Sequence, residues 1–183
     1  LTSNKDLLKE DKILVVREQG IGDEILYATM YSEMIKNYPN TYFESDKRLI
    51  SLFERSLNEK RENIFFPYGH FTLNENDLSN FNNIIFAGSL GQLFRNDISN
   101  FTGNSFLKPE AKKIFGIKKI LRNLGQEKKI GISWKSQKTR YGEDKSKELR
   151  QLKPLFEIPN IKYINLQYGD TSDEINEFKI NEN

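Results

Sequence analysis

The sequence predicts an α/β fold, a parallel sheet flanked by helices over its first part and an incomplete second α/β unit after it. Three observations point there. Apolar runs of strand length alternate with longer stretches of helical period, the first run ends in a glycine turn that opens a helix, and the strand-then-polar-loop arrangement begins again at Lys129.

Ile13-Leu14-Val15-Val16 has the pattern of a strand buried on both faces. Gly20-Ile21-Gly22 turns the chain, and Ile25, Leu26, Ala28, Met30, Met34 and Ile35 follow at the spacing of a helix packed on a sheet, closed by Pro39-Asn40. Thr41 to Glu44 reads as the second strand, and Lys47 to Leu57 as the next helix, with Leu49, Ile50, Phe53 and Leu57 on one face. Asn63 to Pro67 is the third strand. A loop holding Tyr68-Gly69-His70 leads to the fourth, Asn83 to Ala87, and Gly88 to Leu93 starts a short helix. The stretch 96–105 reads as loop.

Pro109-Glu110 then opens a helix, because proline is tolerated in the first turn and a carboxylate suits the dipole. It runs to Leu124, and Gly125 supplies a stop. Lys129 to Trp134 is a strand, Leu149 to Phe156 a helix, and Lys162 to Leu166 a strand ending at Gln167-Tyr168-Gly169-Asp170. Glu177 to Asn183 reads as a polar tail. The chain therefore parses as a first domain over 1–108, a linker helix over 109–125, and the beginning of a second domain over 126–183. Two strands with one or two helices cannot make a doubly covered sheet, so the second domain reads as truncated. The start at Leu1 rather than methionine fits a piece of something longer.

Composition narrows the chemistry. With 183 residues, 37% hydrophobic and 12% aromatic, the chain has the material for a core, and a domain of this size buries roughly 70% of its unfolded surface. There is no cysteine, which excludes disulfides, thiol nucleophiles and zinc fingers; a single histidine, His70, excludes a multi-histidine metal site. His70 reads as a loop residue rather than a catalyst. No apolar run approaches the roughly 20 residues of a membrane helix and no secretion signal opens the chain, so the cytoplasm is the expected location.

The net charge of +2 conceals an asymmetry. Residues 1–107 carry 11 basic and 15 acidic side chains, 108–153 carry 15 and 5, and 154–183 carry 2 and 6. The basic island holds three lysine pairs, then Lys135, Lys138, Arg140, Lys145, Lys147, Arg150 and Lys153. The first two lysine pairs read as a solvated helix face, and the basic residues in the loop after Trp134 read equally as a solvated loop or as an anion site. Nucleic acid is not expected, since Phe115, Trp134 and Tyr141 are too few aromatics for a stacking platform.

The most informative segment is Glu18-Gln19-Gly20-Ile21-Gly22-Asp23, between the first strand and its helix. In open α/β sheets ligands bind there. Ile25 stands where the dinucleotide fingerprint needs its third glycine, which argues against nicotinamide or flavin. Asp23 reads as a helix cap or, with Glu18 and Glu24 nearby, as a general base facing a crevice. Gly88-Ser89-Leu90-Gly91 can bring backbone amides to the same place or simply pack a helix tightly. Trp134 reads equally as core or as a sugar-stacking platform. Tyr168-Gly169-Asp170 reads as a turn or as a cleft wall.

Glu18 to Ala28 resembles the Glu-Gln-Gly-x-Gly-Asp motif of the glycosyltransferase region of tetratricopeptide-repeat proteins related to glycosyltransferase family 9, the heptosyltransferase-like family. Ile130-Gly131-Ile132-Ser133-Trp134-Lys135-Ser136, Lys145-Ser146 and Asn165-Leu166-Gln167-Tyr168-Gly169-Asp170 resemble further blocks of that family in the same order. The resemblance spans residues 12 to 170. It implies the GT-B architecture, in which two Rossmann-like domains face across a cleft, the acceptor held mainly by the first and a nucleotide sugar mainly by the second. It places the catalytic base on Asp23 and a phosphate contact on Lys135 or on Lys145 with Ser146. Acceptor contacts are expected at Glu18, Gln19, Gly20, Gly22 and Ser89, and further donor contacts at Ser133, Trp134 and Gln167. It implies no metal and no cofactor beyond the nucleotide-sugar substrate, and a glycan, lipid or protein acceptor. The family's later nucleotide-diphosphate block and its upstream tetratricopeptide repeats have no counterpart in residues 1–183, so little activity is expected from this chain alone. The alternative is a non-catalytic binding module or scaffold with a basic anion-binding surface.

Overall fold

The computed structural model describes residues 7–57, 63–72, 75–136 and 145–180. The chain divides after Ala111 into two units. The first is built on four parallel strands, β1 (Ile13–Val16), β2 (Thr41–Ser45), β3 (Phe65–Pro67) and β4 (Asn83–Phe86), in the order β3-β2-β1-β4. β1 aligns Val15 with Phe43 of β2 and with Ile85 of β4, and β2 aligns Phe43 with Phe65 of β3. β1 is wholly buried because it is central. The order reverses between β1 and β4, the topological switch point of an open parallel sheet.

One sheet face holds the core. α1 (Ile21–Ala28), α2 (Tyr31–Asn37) and α3 (Ile50–Leu57) lay Ala28, Tyr31, Met34, Phe53 and Leu57 against Ile13, Val15, Phe43, Phe65 and Ile85. Tyr31 is the keystone, its ring 4.2 Å from Phe43 and edge-on to Phe53 at 5.8 Å. Such ring pairs add about 1 kcal/mol each beyond burial. On the opposite face Tyr42 and Phe66 meet Phe81 and Phe71, and His70 stacks on Phe66 at 4.8 Å. His70 is thus a turn residue with an aromatic partner.

The single helix expected after the glycine turn is two. Thr29 donates its hydroxyl to the Leu26 carbonyl at 2.7 Å, and the Thr29 and Met30 amides bond back only three residues, to Leu26 and Tyr27. That side-chain competition and local tightening break the run. A short α4 (Glu75–Leu78) precedes β4, and after β4 a 3₁₀ turn (Ala87–Leu90) leads into α5 (Gly91–Phe94). The stretch expected as loop contains a 3₁₀ turn at Ile98–Asn100, held by the Asp97 side chain on the Ser99 amide.

The second unit begins within α6 (Ala111–Asn123), whose end is set by Gly125 at φ +95°. β5 (Lys128–Ile132) and β6 (Ile161–Asn165) pair in parallel, Ile130 opposite Tyr163. A Cβ on Gly131 would lie 2.2 Å from Leu166 Cδ1, so a larger residue there would displace the exposed Leu166 side chain. Between the strands lie a 3₁₀ turn (Leu149–Leu152) and α7 (Lys153–Phe156), where Pro154 occupies the first turn. The polar tail is largely α8 (Ser172–Ile180), opened by the Asp170 side chain accepting the Ser172 amide at 2.9 Å and by Asp173 and Glu174 in its first turn. Both sheets are thus α/β with parallel strands, the first Rossmann-like in its strand order.

Candidate functional site

The carboxyl ends of β1 and β4 bring together the glycine loop and the Gly88 turn. Glu18 Oε2 accepts the Gly88 amide at 2.8 Å, tying the two loops across the switch point. A Cβ on Gly88 would lie 2.8 Å from that oxygen and 3.3 Å from Tyr27 Cζ, so only glycine fits without a shift. Glu18, expected among acceptor contacts, is therefore a brace between loops. Ser89 sits half-buried beside it.

Asp23 is the third residue of α1 and its Oδ2 accepts the Gly20 amide at 3.0 Å. One carboxylate oxygen caps the turn, and the half-buried side chain forms no other bond with the described residues. Gly20 is extended at φ −100° and ψ 174°, while Gln19 takes the left-handed region at φ 57° with its side chain exposed. The Arg17 guanidinium holds that conformation by donating to the Gln19 carbonyl at 3.0 Å. Gly22 is exposed, and a Cβ on it would meet nothing within 4 Å. Internal packing therefore does not demand glycine at 22.

Beneath the loop lies a buried acid the sequence reading did not single out for this role. Glu24 is fully buried, with Oε2 2.8 Å from Arg17 Nε and Oε1 accepting the Asp46 amide at 2.9 Å. Burial pushes its carboxyl pKa up, against the Asp46 amide and Arg17. Asp46 is held well below the usual carboxylate range by side-chain and backbone hydrogen bonds from Arg48, the side chain as a two-point fork. Glu44, also fully buried, accepts the Phe71 and Thr72 amides at 2.6 and 3.0 Å and the Thr72 hydroxyl at 3.0 Å. These acids anchor the loops at the strand ends, so the crevice rests on buried, hydrogen-bonded acids rather than on apolar packing alone.

In the second unit the residues expected at the donor are knit into one network. Gln167 Oε1 accepts the Ser133 hydroxyl at 3.1 Å and the Trp134 and Lys135 amides at 2.9 and 2.8 Å. Its Nε2 donates to the Lys135 and Tyr168 carbonyls at 3.0 and 3.2 Å. Gln167 thus clamps the loop after β5 to the loop after β6. Trp134 is 5% exposed and gives its indole N–H to Glu174 Oε2 at 3.1 Å, which places the ring in the interior rather than on a stacking surface.

Glu174 is the hub that the sequence reading missed. It also accepts Lys135 Nζ at 2.9 Å and the Leu149 amide at 3.1 Å. Burial alone would raise its pKa, but these donors and the Trp134 indole outweigh that and hold the carboxyl below its usual range. The signal available was only an acid in the first turn after Asp170-Thr171-Ser172. The hollow of about 660 Å³ that Lys135 lines also holds Glu148, Arg150, Asp173, Glu174 and Glu177, four acids against two bases. Its balance disfavours a phosphate. Ser146 Oγ accepts the Ser136 amide at 3.0 Å, and Lys145 is exposed with no bond to the described residues. Lys138, Arg140 and Tyr141 lie outside the described residues.

Among the described residues no group of three or more acids and histidines is placed to hold a metal, and no helix is long and apolar enough to cross a membrane.

The chain is similar to Protein FlbA of Caulobacter vibrioides, 27% identical over 181 residues. The match covers 92% of this chain and 30% of that protein, so the chain spans less than a third of the relative's length. No family model matches the sequence, and no solved structure matches.

Proposed function

We propose that this chain is part of a metal-independent glycosyltransferase that moves a sugar from a nucleotide-sugar donor to a hydroxyl acceptor. The observation that carries the reading is the arrangement at the switch point: a glycine loop with Asp23 after β1, tied by Glu18 to the Gly88 turn after β4. Parallel sheets bind ligands at that edge, and here it offers a half-buried carboxylate beside an open backbone surface at Gly22. The motifs in the two units, in their order, supply the reaction class by resemblance.

In this reading Asp23 takes the proton of the acceptor hydroxyl as the oxygen bonds to the donor's anomeric carbon. The bond from that carbon to the nucleoside diphosphate breaks, and its electron pair leaves with the phosphate. Cationic side chains and helix dipoles meet the charge that develops there. Of the two lysines expected at the donor, Lys135 is paired with Glu174, which leaves Lys145 for the phosphate. Gln19, left-handed and exposed in the same loop as Asp23, is the proposed acceptor contact. The partner molecules are a nucleotide sugar and a glycan, lipid or protein acceptor, and the reaction belongs in the cytoplasm.

The second unit shows a two-stranded sheet among the described residues and the chain spans less than a third of its relative's length, so the proposal assigns the activity to a longer protein containing this chain. The test is release of nucleoside diphosphate from a panel of nucleotide sugars, with acceptor present. The longer protein turns over and residues 1–183 alone turn over little or not at all. A clear transferase rate from residues 1–183 contradicts the division of labour. A scaffold role is the outcome if no nucleotide sugar is consumed by the longer protein.

A further inference from the structure

A groove of about 690 Å³ opens on the first unit beside the switch point, within the size range of small-molecule sites. Its walls are mainly apolar, from Leu26, Tyr27 and Met30 on one side and Phe101 and Phe106 on the other. Leu26 and Phe101 are left 62% and 59% exposed, although neither is needed at the surface by any polar group it carries.

Two features specify what fits. The groove carries one cation and one anion, Arg95 and Glu33, and they neutralise each other through two bonds of 2.9 and 2.7 Å. Two further guanidinium N–H groups go to the Phe94 and Thr29 carbonyls at 2.7 and 3.2 Å. An ionic ligand group would have to break this pair to gain a counter-charge, and its desolvation is a cost that an uncharged group avoids. The second feature is continuity: the groove is lined at one end by Gly88, the residue that Glu18 ties to the glycine loop, and by Tyr27, which packs against it. A molecule whose hydroxyl-bearing end lies at Asp23 can extend an attached group past Gly88 into this space. Gly91 lines it too, and a Cβ there would meet nothing within 4 Å.

We propose that this groove binds the uncharged apolar aglycone of a glycoside, so that the acceptor is a sugar carried on an apolar group. That the occupant is an acceptor rests on the glycosyltransferase reading; that it is apolar and uncharged rests on the groove.

The test uses the whole chain with octyl β-D-glucopyranoside, below its micelle concentration, and methyl β-D-glucopyranoside as probes. Octyl glucoside is expected to bind saturably at least tenfold tighter than the methyl glycoside, with NMR shifts concentrated at Leu26, Met30 and Phe106. Gly91→Leu fills the groove and weakens octyl glucoside at least tenfold without lowering Tm. Leu26→Gln, at an exposed position, serves as a second variant and is expected to weaken binding severalfold. Equal affinity for the two glycosides, shifts centred elsewhere, or octyl binding unchanged in both variants would overturn the proposal. A concentration-dependent dimer that Gly91→Leu dissolves would overturn it as well, since the groove would then be a contact between copies. If transfer by the longer protein is indifferent to Asp23→Asn while octyl glucoside still binds in the groove, the catalytic reading fails and the groove stands.

Discussion

Glu18 and Gly88 are 70 residues apart in sequence, yet the Glu18 carboxylate accepts the Gly88 amide at 2.8 Å and occupies the space a Gly88 side chain would need. The contact closes β1 against β4 at their carboxyl ends and leaves the glycine loop and the Gly88 turn as one surface.

Gly88→Ala is expected to destabilise the first unit by about 1–3 kcal/mol, the usual cost of overpacking where a ring and a bonded carboxylate must both move. Glu18→Gln keeps an oxygen for the Gly88 amide and should lose less than Glu18→Ala, which abandons a charge-assisted bond of about 1.5–3 kcal/mol. Urea midpoints of the three variants check the order. Equal losses for Glu18→Gln and Glu18→Ala would remove the hydrogen bond from the account.

The Arg17–Glu24 pair predicts a pH signature. Glu24 has its folded pKa raised above the ordinary 4.5 by burial, so above that value the folded state holds a proton the unfolded state has released. Its contribution is therefore fully present below pH 4.5 and declines as pH rises through the folded pKa. Asp46 runs the other way: its lowered pKa gives stability present above the ordinary 3.8 and lost as pH falls through the folded value. The stability of the wild type relative to Glu24→Gln should accordingly fall as pH rises above 4.5, a slope that parallel urea-midpoint profiles would refute. Arg17→Met, which leaves Glu24 buried without its cation, should cost about 3 kcal/mol at pH 7.

Gln167 offers a test confined to the second unit. Gln167→Leu removes three acceptor contacts and two donor contacts at a site only 8% exposed. The Trp134 and Lys135 amides are then orphaned, at about 1–3 kcal/mol each. The chain's single tryptophan, Trp134, lies within this network, so its fluorescence reports the loss directly. Emission from Gln167→Leu should shift to longer wavelength in mild urea, where the wild type keeps a buried indole. Identical unfolding curves would mean that the clamp is not structural.

Much of the scaffold was legible because it rests on local pattern. Ile13 to Val16 announces a doubly buried strand, and Gly125 stops a helix by adopting a positive φ. Elsewhere the deciding contact was either local and small or distant. The Thr29 hydroxyl splits an apolar periodicity that runs unbroken from Ile25 to Ile35. α8 was missed because its pattern is weakly amphipathic and begins at an Asp170 cap that reads equally as a turn. In the site, Asp23, Gly22 and Gly88 follow from where the glycine turns fall. The bracing role of Glu18, the burial of Glu24 and the three-donor hub at Glu174 depend on partners tens of residues away, and no spacing rule reaches them.

The central claim is that Asp23 is the base at the switch point, and Asp23→Asn tests it cleanly because the asparagine oxygen can still accept the Gly20 amide. The measurement is the rate of nucleotide-sugar-dependent transfer by the longer protein, with Tm recorded alongside. The account predicts a fall of at least about 100-fold, the usual minimum for losing a general base, with Tm unchanged. A transfer rate equal to the wild type's, in a variant that folds normally, would contradict it.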